Sequence, residues 1–170
     1  AENLKATLYP NGDTIPYVTD NSAWRNLDDN NTEDAYCYYD NDPNSEYGVL
    51  YTYAAVIGDN WQRDNIDGQG VCPDGWHLPT DAEWKVLEGT VDTQYPVGDP
   101  EWNNLEWRGH DAGTHLKLTS GWNSGGNGDN SSGFAALPGG YCSNDNGTFY
   151  NAGNDGIWWS ATEYSSSYAW

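Results

Sequence analysis

Residues 71–84, Val-Cys-Pro-Asp-Gly-Trp-His-Leu-Pro-Thr-Asp-Ala-Glu-Trp, carry the clearest structural signal of the chain. Thr80 and Glu83 are three residues apart, which is the spacing of a capping box, where each side chain binds the other residue's backbone N–H. The apolar residues that follow at helical spacing are Trp84, Leu87 and Val91. The segment therefore predicts an amphipathic helix that begins directly after Thr80, with Gly89 as a candidate early end.

Outward from this segment, the pattern predicts one further helix, several short strands and long loops. The second helix spans Asp111 to Leu118, and residues 120–130 form an irregular loop. Residues 49–56 fit either a buried strand or a helical turn, and periodicity does not choose between them. The predicted strands are residues 3–9, 14–18, 35–39, 141–142, 148–150 and 157–162. Two helices with short antiparallel strands are typical of an α+β fold.

Length and composition indicate one domain, residues 1–170, with an aromatic core. A chain of this length buries roughly 70% of its unfolded surface, which is enough for a core of its own. Met is absent and Phe occurs twice, whereas Trp occurs 10 times and Tyr 13 times. Large rings that also carry an N–H or O–H group therefore supply most of the buried surface.

The charge balance excludes several classes of partner. The chain has 6 Lys and Arg against 26 Asp and Glu, a net charge of −20. Nucleic acid and anionic membrane surfaces are excluded because both need clustered cations, and no apolar stretch is long enough for membrane insertion. Cations, neutral glycans and basic surfaces remain as partners, and solubility on a crowded cell surface explains the same charge.

The tryptophans fall into two groups. Those next to predicted helices and strands are interpreted as core residues rather than as a glycan platform: Trp76, Trp84, Trp158 and Trp159. Aromatic and amide residues of the loops are the candidate ligand-binding residues, since loops on a rigid scaffold commonly carry function. These candidates are Trp102, Trp107, Trp122, Asn144, Tyr150 and Asn154.

The loops also offer candidate metal-binding and modification sites. Asp99, Asp129 and Asp155 are candidate oxygen ligands for calcium, but no EF-hand spacing is present and solvated loop acids are the favoured interpretation. The candidate glycosylation sites are Asn30, Asn130 and Asn146, which lie in sequons, and Thr14, whose surroundings resemble a bacterial O-glycosylation motif.

Seven segments together resemble the Fibrobacter succinogenes major paralogous domain. Residues 71–84 are the most specific of them, and the others are residues 1–5, 16–24, 35–39, 47–56, 132–141 and 156–163. The resemblance implies a C-type-lectin-like fold related to formylglycine-generating-enzyme domains. It also implies a secreted or cell-surface bacterial protein, with no cofactor and no enzymatic activity established for the family.

Two departures from the family pattern concern the cysteines and the C-terminus. The family tends to have a basic residue where this chain has Cys142, so we expect a Cys37–Cys142 disulfide, with Cys72 joined to a partner outside this segment; three pairings are formally open. The family usually continues with a further strand pair. Its loss would leave the predicted Leu4–Leu8 strand as an open edge.

The leading functional hypothesis is an extracellular, non-enzymatic binding or display module, similar to an adhesin, that recognises a glycan or a protein surface. The alternative is a structural subunit that joins identical subunits into a fibre through exposed strand edges. A third possibility is a variable protein diversified in its C-terminal third. An enzyme is not expected, because Cys72 and His77 lie in a structural motif and no second active-site cysteine matches the related enzymes.

Overall fold

Short helices and short antiparallel strands joined by long loops make up the fold, as the α+β pattern predicted, but the described residues contain four α-helices where two were predicted. The computed structural model describes residues 2–27, 32–58, 69–165 and 168–169. In these ranges the α-helices are α1 (Asn21–Arg25), α2 (Tyr53–Ile57), α3 (Asp81–Val91) and α4 (Ala112–Leu116), and the 3-10 helices are Tyr39–Asn41 and Pro100–Asn103. The strands are β1 (Tyr36–Tyr38), β2 (Val49–Tyr51), β3 (Tyr141–Cys142), β4 (Phe149–Tyr150), β5 (Glu163–Ser165) and β6 (Tyr168–Ala169).

Helix α3 begins with the predicted capping box. The Thr80 N–H donates to Glu83 Oε2 at 2.8 Å, and the Glu83 N–H donates to Thr80 Oγ1 at 3.2 Å. The prediction that Gly89 ends the helix early is wrong. Gly89 instead allows a close approach, because a Cβ atom there would lie 2.8 Å from Val97 Cα and 3.0 Å from Trp102 Nε1.

Residues 49–56, which fitted either a strand or a helical turn, form a strand that is followed directly by a helix. Strand β2 pairs antiparallel with β1, and Cys37 lies opposite Leu50. Thr52 then takes an extended conformation and caps helix α2, since its side chain accepts a hydrogen bond from the Ala55 N–H. All five residues of α2 are buried, so the strand ends where a fully apolar helix enters the core.

The core consists of two clusters on either side of the β1–β2 hairpin. The larger one gathers buried residues from the N-terminal segment, the hairpin, α2 and the segment before α3, including Ile15, Tyr53 and Val71. The smaller one contains Trp24 and Cys37 and packs against Cys142 of β3. Aromatic residues occupy both clusters, in agreement with the composition.

The predicted strands 3–9 and 14–18 are absent. An isolated bridge joins Leu8 to Thr14, and the Ile15 N–H donates to the Thr7 carbonyl at 3.1 Å, so the two segments pair only briefly on either side of the turn. The Leu4 carbonyl accepts from the Val49 N–H at 3.2 Å. Leu4–Leu8 is therefore not the open edge strand that was predicted, because its two ends bond to β2 and to the segment after the turn.

The predicted strands 141–142 and 148–150 are present as β3 and β4, which pair antiparallel, but residues 157–162 are not a strand. Their backbone groups bond to other parts of the chain instead of to a neighbouring strand. For example, the Ala161 N–H donates to the Pro79 carbonyl. Helix α4 is shorter than predicted at both ends. Among the residues described, no helix has the length and apolar character needed to cross a membrane.

Candidate ligand-binding cleft

A cleft of about 720 Å³ lies between helices α3 and α4 and three loops. The loops contribute residues 106–108, residues 134–136 and residues 154–158, and Trp122 closes one side. Sites for small organic ligands typically measure about 300–1,000 Å³ and combine aromatic walls with a few polar groups. The cleft has this size and this composition, which makes it the candidate functional site.

The charged part of the cleft is an ion-pair network centred on Arg108. Its guanidinium contacts Asp81 Oδ1 at 3.0 Å and Glu88 Oε2 at 2.8 Å, and it donates to the Trp102 carbonyl at 3.0 Å. Lys85 adds a second contact to Asp81 at 2.7 Å. Asp81 and Glu88 are seven residues apart on α3, so both carboxylates face the cleft from one side of the helix.

Glu88 is the most perturbed carboxyl group of this network. Burial raises the pKa of Glu88, and the neighbouring Arg108 opposes that shift without cancelling it. Burial therefore disfavours the charged form of the Glu88 carboxyl group, and the Arg108 guanidinium favours it. A titratable group perturbed by burial inside a cleft is characteristic of functional sites, although structural ion pairs show the same behaviour.

Three aromatic rings form one wall of the cleft. Trp84, Phe134 and Trp158 contact one another, with ring centroids 5.7–6.4 Å apart and tilted or edge-to-face orientations. Each side chain is half-buried. Mutual packing fixes the three rings, so the wall presents a rigid apolar surface at low entropic cost.

The opposite wall is formed by Trp122 and Lys117. The Trp122 indole is buried and donates to the Ala136 carbonyl at 3.1 Å. The Lys117 ammonium lies 4.6 Å from the centroid of the Trp122 ring, a cation–π contact. Both cations of the cleft, Arg108 and Lys117, are therefore already engaged by protein groups.

The rim is exposed and contains both apolar and polar side chains. Trp107 is 94% exposed and Ile157 is 59% exposed. Glu106 and Asn154 are also exposed and supply hydrogen-bonding groups beside the aromatic wall. Tryptophan has a large apolar side chain that is mostly buried in folded proteins, so an almost fully solvated tryptophan is unusual.

Asp92 and Trp102 position the segment that carries Trp107 and Arg108. The Asp92 carboxylate accepts five backbone N–H groups, from residues 94, 95, 110, 111 and 112, at 2.7–3.1 Å. Burial acts against these bonds, but together they hold the pKa of Asp92 well below its usual range. Trp102 lies beneath the segment and is 1% exposed.

Replacing Asp92 by Ala should destabilise the protein by about 2 kcal/mol, because the five N–H groups, including that of Ala112 at the start of α4, lose a charged acceptor. Asp92→Asn should lose less stability, since the amide keeps one oxygen atom that can accept hydrogen bonds from these N–H groups. The folded-state pKa is depressed, so this contribution is present above the unfolded pKa of about 3.9 and disappears as the pH falls through the folded value. Urea unfolding at neutral pH measures the loss, and equal midpoints for all three proteins would contradict it.

The structure gathers some of the predicted ligand-binding residues and separates the others. Trp107, Trp122 and Asn154 line the cleft. Trp102 is buried and supports the cleft from below. Asn144 and Tyr150 belong to the β3–β4 region and do not line it.

The four tryptophans that were interpreted as core residues occupy different kinds of position in the structure. Trp84 and Trp158, interpreted as core, are half-buried and form the cleft wall. The helical spacing of Trp84 with Asp81 and Glu88 was the available signal. Trp76 is 72% exposed, so its interpretation as a core residue is wrong. Trp76 lies at the end of a turn, where its backbone N–H donates to the Pro73 carbonyl. Trp159 packs against Tyr53 as predicted.

The candidate calcium ligands have other partners. Asp99 caps a 3-10 helix through the Glu101 N–H, Asp129 contacts His115 at 2.9 Å, and Asp155 accepts from the Asn151 side chain. In the part of the chain that the structure describes, no group of three His, Cys, Asp or Glu side chains could hold a metal ion.

The candidate glycosylation sites differ in accessibility. Thr14 and Asn146 are exposed. Asn130 is half-buried, and its side-chain oxygen accepts from the Ala135 N–H at 2.7 Å. Asn30 lies outside the described residues. Modification of these residues stays a prediction.

The three cysteines are free thiols, and two of them are in contact. Cys142 packs into the smaller core cluster, where its thiol forms a hydrogen bond with Cys37. This bond and burial raise the pKa of Cys37, and the same bond lowers the pKa of Cys142. Cys72 packs against the larger cluster, away from the pair. The expected Cys37–Cys142 disulfide stays a prediction that this contact permits.

Comparison with known proteins gives one match. The Fibrobacter succinogenes major domain matches residues 1–170, the whole chain. No curated protein and no solved structure shows significant similarity to this chain. The match agrees with the resemblance carried by residues 71–84 and the six other segments. The chain therefore belongs to the Fibrobacter succinogenes major domain family.

Proposed function

We propose that this domain is an extracellular, non-enzymatic binding module of a bacterial surface protein, and that the cleft between α3 and α4 holds its ligand. The observation that carries the proposal is the aromatic wall of Trp84, Phe134 and Trp158, which lines a cleft of ligand size together with the exposed Trp107. An exposed aromatic side chain next to a preformed cavity is typical of recognition surfaces.

The chemistry of the cleft favours binding over catalysis. Among the described residues that line it, there is no Ser, Thr, Cys or His that could act as a nucleophile or as a base near neutral pH. The two inward carboxylates, Asp81 and Glu88, share Arg108 and are not arranged as an acid and a base on opposite sides of a substrate. A net charge of −20 supports an extracellular location, where it keeps a surface protein soluble.

For the fold, we propose the C-type-lectin-like architecture implied by the family resemblance. It is supported by the combination of a few short helices, short antiparallel strands and long loops that bear the cleft. The fibre hypothesis rested in part on an open edge at Leu4–Leu8, a segment that instead contacts Val49 and Thr14, and this part of its support is lost.

The test is a binding screen against arrayed glycans and extracellular host proteins, with Trp107→Ala and Trp76→Ala as a matched pair. Both tryptophans are exposed, so neither substitution should affect folding. Trp107→Ala should weaken binding by roughly tenfold or more, because truncated aromatic residues dominate interface energies. Trp76→Ala should bind normally. Ligands whose binding is indifferent to Trp107 would place the binding surface elsewhere and reject the cleft.

A further inference from the structure

We infer that the ligand of the cleft is a neutral carbohydrate, bound with its apolar ring faces against the aromatic wall. This inference rests on the proposed function, since it names the ligand class of the same site. It follows from three properties of the cleft: its charge, the arrangement of its rings and the absence of strand edges among its lining residues.

The charge of the cleft disfavours an anionic ligand. Four carboxylates line it, from Asp81, Glu88, Glu106 and Asp155, against the two cations Arg108 and Lys117. Arg108 binds two of the carboxylates, and Lys117 lies over Trp122. An anion would have to compete for cations that are already engaged, in the field of a chain with net charge −20.

The arrangement of the rings disfavours a cation as the main recognised group. Cation-binding cages place several ring faces around one point. Here Phe134 packs edge-to-face against Trp84 and Trp158, and the planes of the two indoles are 42° apart, so the rings pack on one another instead of surrounding one point. A sugar ring needs only one exposed ring face, on which its flat C–H face stacks and is removed from water.

The polar groups of the rim suit hydroxyl groups. Glu106 and Asp155 are hydrogen-bond acceptors, whereas the Asn154 amide both donates and accepts. A sugar hydroxyl also donates and accepts, so one ring can satisfy both kinds of group at the edge of the aromatic wall.

An extended peptide lacks its usual way of docking. Peptides commonly add a strand to an exposed sheet edge, with backbone hydrogen bonds supplying the affinity. Within the described part of the chain, no cleft-lining residue belongs to β1–β6, and the bridge between Lys117 and Ala136 joins two residues of the lining itself. The observations therefore favour a glycan over a peptide.

The experiment is isothermal titration of the intact protein with three probes: neutral oligosaccharides of cellulose, xylan, mannan and chitin type, sulfated oligosaccharides, and oligolysine. At least one neutral oligosaccharide should bind, with an affinity that changes little between low and high salt, because no charge is recognised. Trp107→Ala should weaken that binding by roughly tenfold or more, and Trp76→Ala should leave it unchanged.

Two results would overturn the inference, and they separate it from the proposed function. Binding of oligolysine or of sulfated oligosaccharides alone, weakened by salt and by Trp107→Ala, would reject the ligand class and keep the cleft as a binding site. Binding that ignores Trp107, or no binding of any probe together with a silent screen of glycans and host proteins, would reject both.

Discussion

Protein that carries a Cys37–Cys142 disulfide is expected to be about 4–5 kcal/mol more stable than reduced protein. The bond would close a loop of roughly 100 residues, and the loss of loop entropy in the unfolded chain is worth about 4.7 kcal/mol for that length. The two thiols already form a hydrogen bond in the smaller core cluster. Little rearrangement of β1 and β3 should therefore be needed.

The oxidation has a defined order because the two thiols differ. Cys142 is half-buried whereas Cys37 is 1% exposed, so the oxidant reaches Cys142 first and the Cys142 thiolate is the nucleophile. It attacks oxidised glutathione, forms a mixed disulfide and releases one glutathione thiolate. Cys37 then loses its proton to solvent and attacks the Cys142 sulfur, which releases the second glutathione. Two electrons and two protons leave the protein in total.

Urea unfolding of the oxidised and reduced proteins measures the difference. After treatment with oxidised glutathione, the intact mass should fall by two hydrogen atoms, and alkylation without reduction should label one cysteine, Cys72. The matched variants are Cys72→Ser, which keeps the pair, and Cys142→Ser, which should lose the redox dependence. Three labelled cysteines after oxidation, or a peptide that joins Cys72 to Cys37, would show that the pairing is wrong.

The sequence predicted the features that depend on near neighbours. Thr80 and Glu83 are three residues apart, and their capping box forms as expected because both partners lie in one turn of helix. The β3–β4 hairpin was also predictable, since its turn residues lie between the two strands. In such cases the chain itself brings the interacting groups together.

The cleft was not predictable in the same way, because its parts lie far apart in the chain. Trp84 and Trp158 were interpreted as core residues, and only the fold shows that they meet Phe134 in a wall with one side open. The segment 157–162 looked like a strand, but its backbone groups find partners such as Pro79 rather than a neighbouring strand. Tertiary contacts decided both cases.

Replacing Arg108 by Ala should destabilise the protein by about 3–5 kcal/mol at neutral pH, which is typical when one partner of a buried ion pair is removed. The Arg108 side chain is 12% exposed, and its partners Asp81 and Glu88 are 9% and 22% exposed. Lys85 remains beside Asp81, whereas the contact that Arg108 gives Glu88 is lost. Arg25→Ala is the matched control, because it removes the same charge from an exposed helix end.

The pH dependence of this loss identifies its cause. Burial already raises the pKa of Glu88, so its contribution to stability is fully present below the unfolded pKa of about 4.3 and is lost as the pH rises through the folded value. Without Arg108 the folded pKa rises further. The difference between variant and wild type should therefore be largest at neutral pH and should shrink as the pH falls toward 5.

A second substitution distinguishes two effects of Arg108→Ala: the Glu88 charge that is left without its partner, and the packing contacts that are lost with the Arg108 side chain. Glu88→Gln removes the charge but keeps the shape of the side chain, so it should restore part of the stability of Arg108→Ala at neutral pH. Groups with depressed pKa values, such as Asp92, are common to all the proteins and cancel in these differences. A loss that is independent of pH and unaffected by Glu88→Gln would mean that the aliphatic stem of Arg108, rather than its charge, holds the floor of the cleft together.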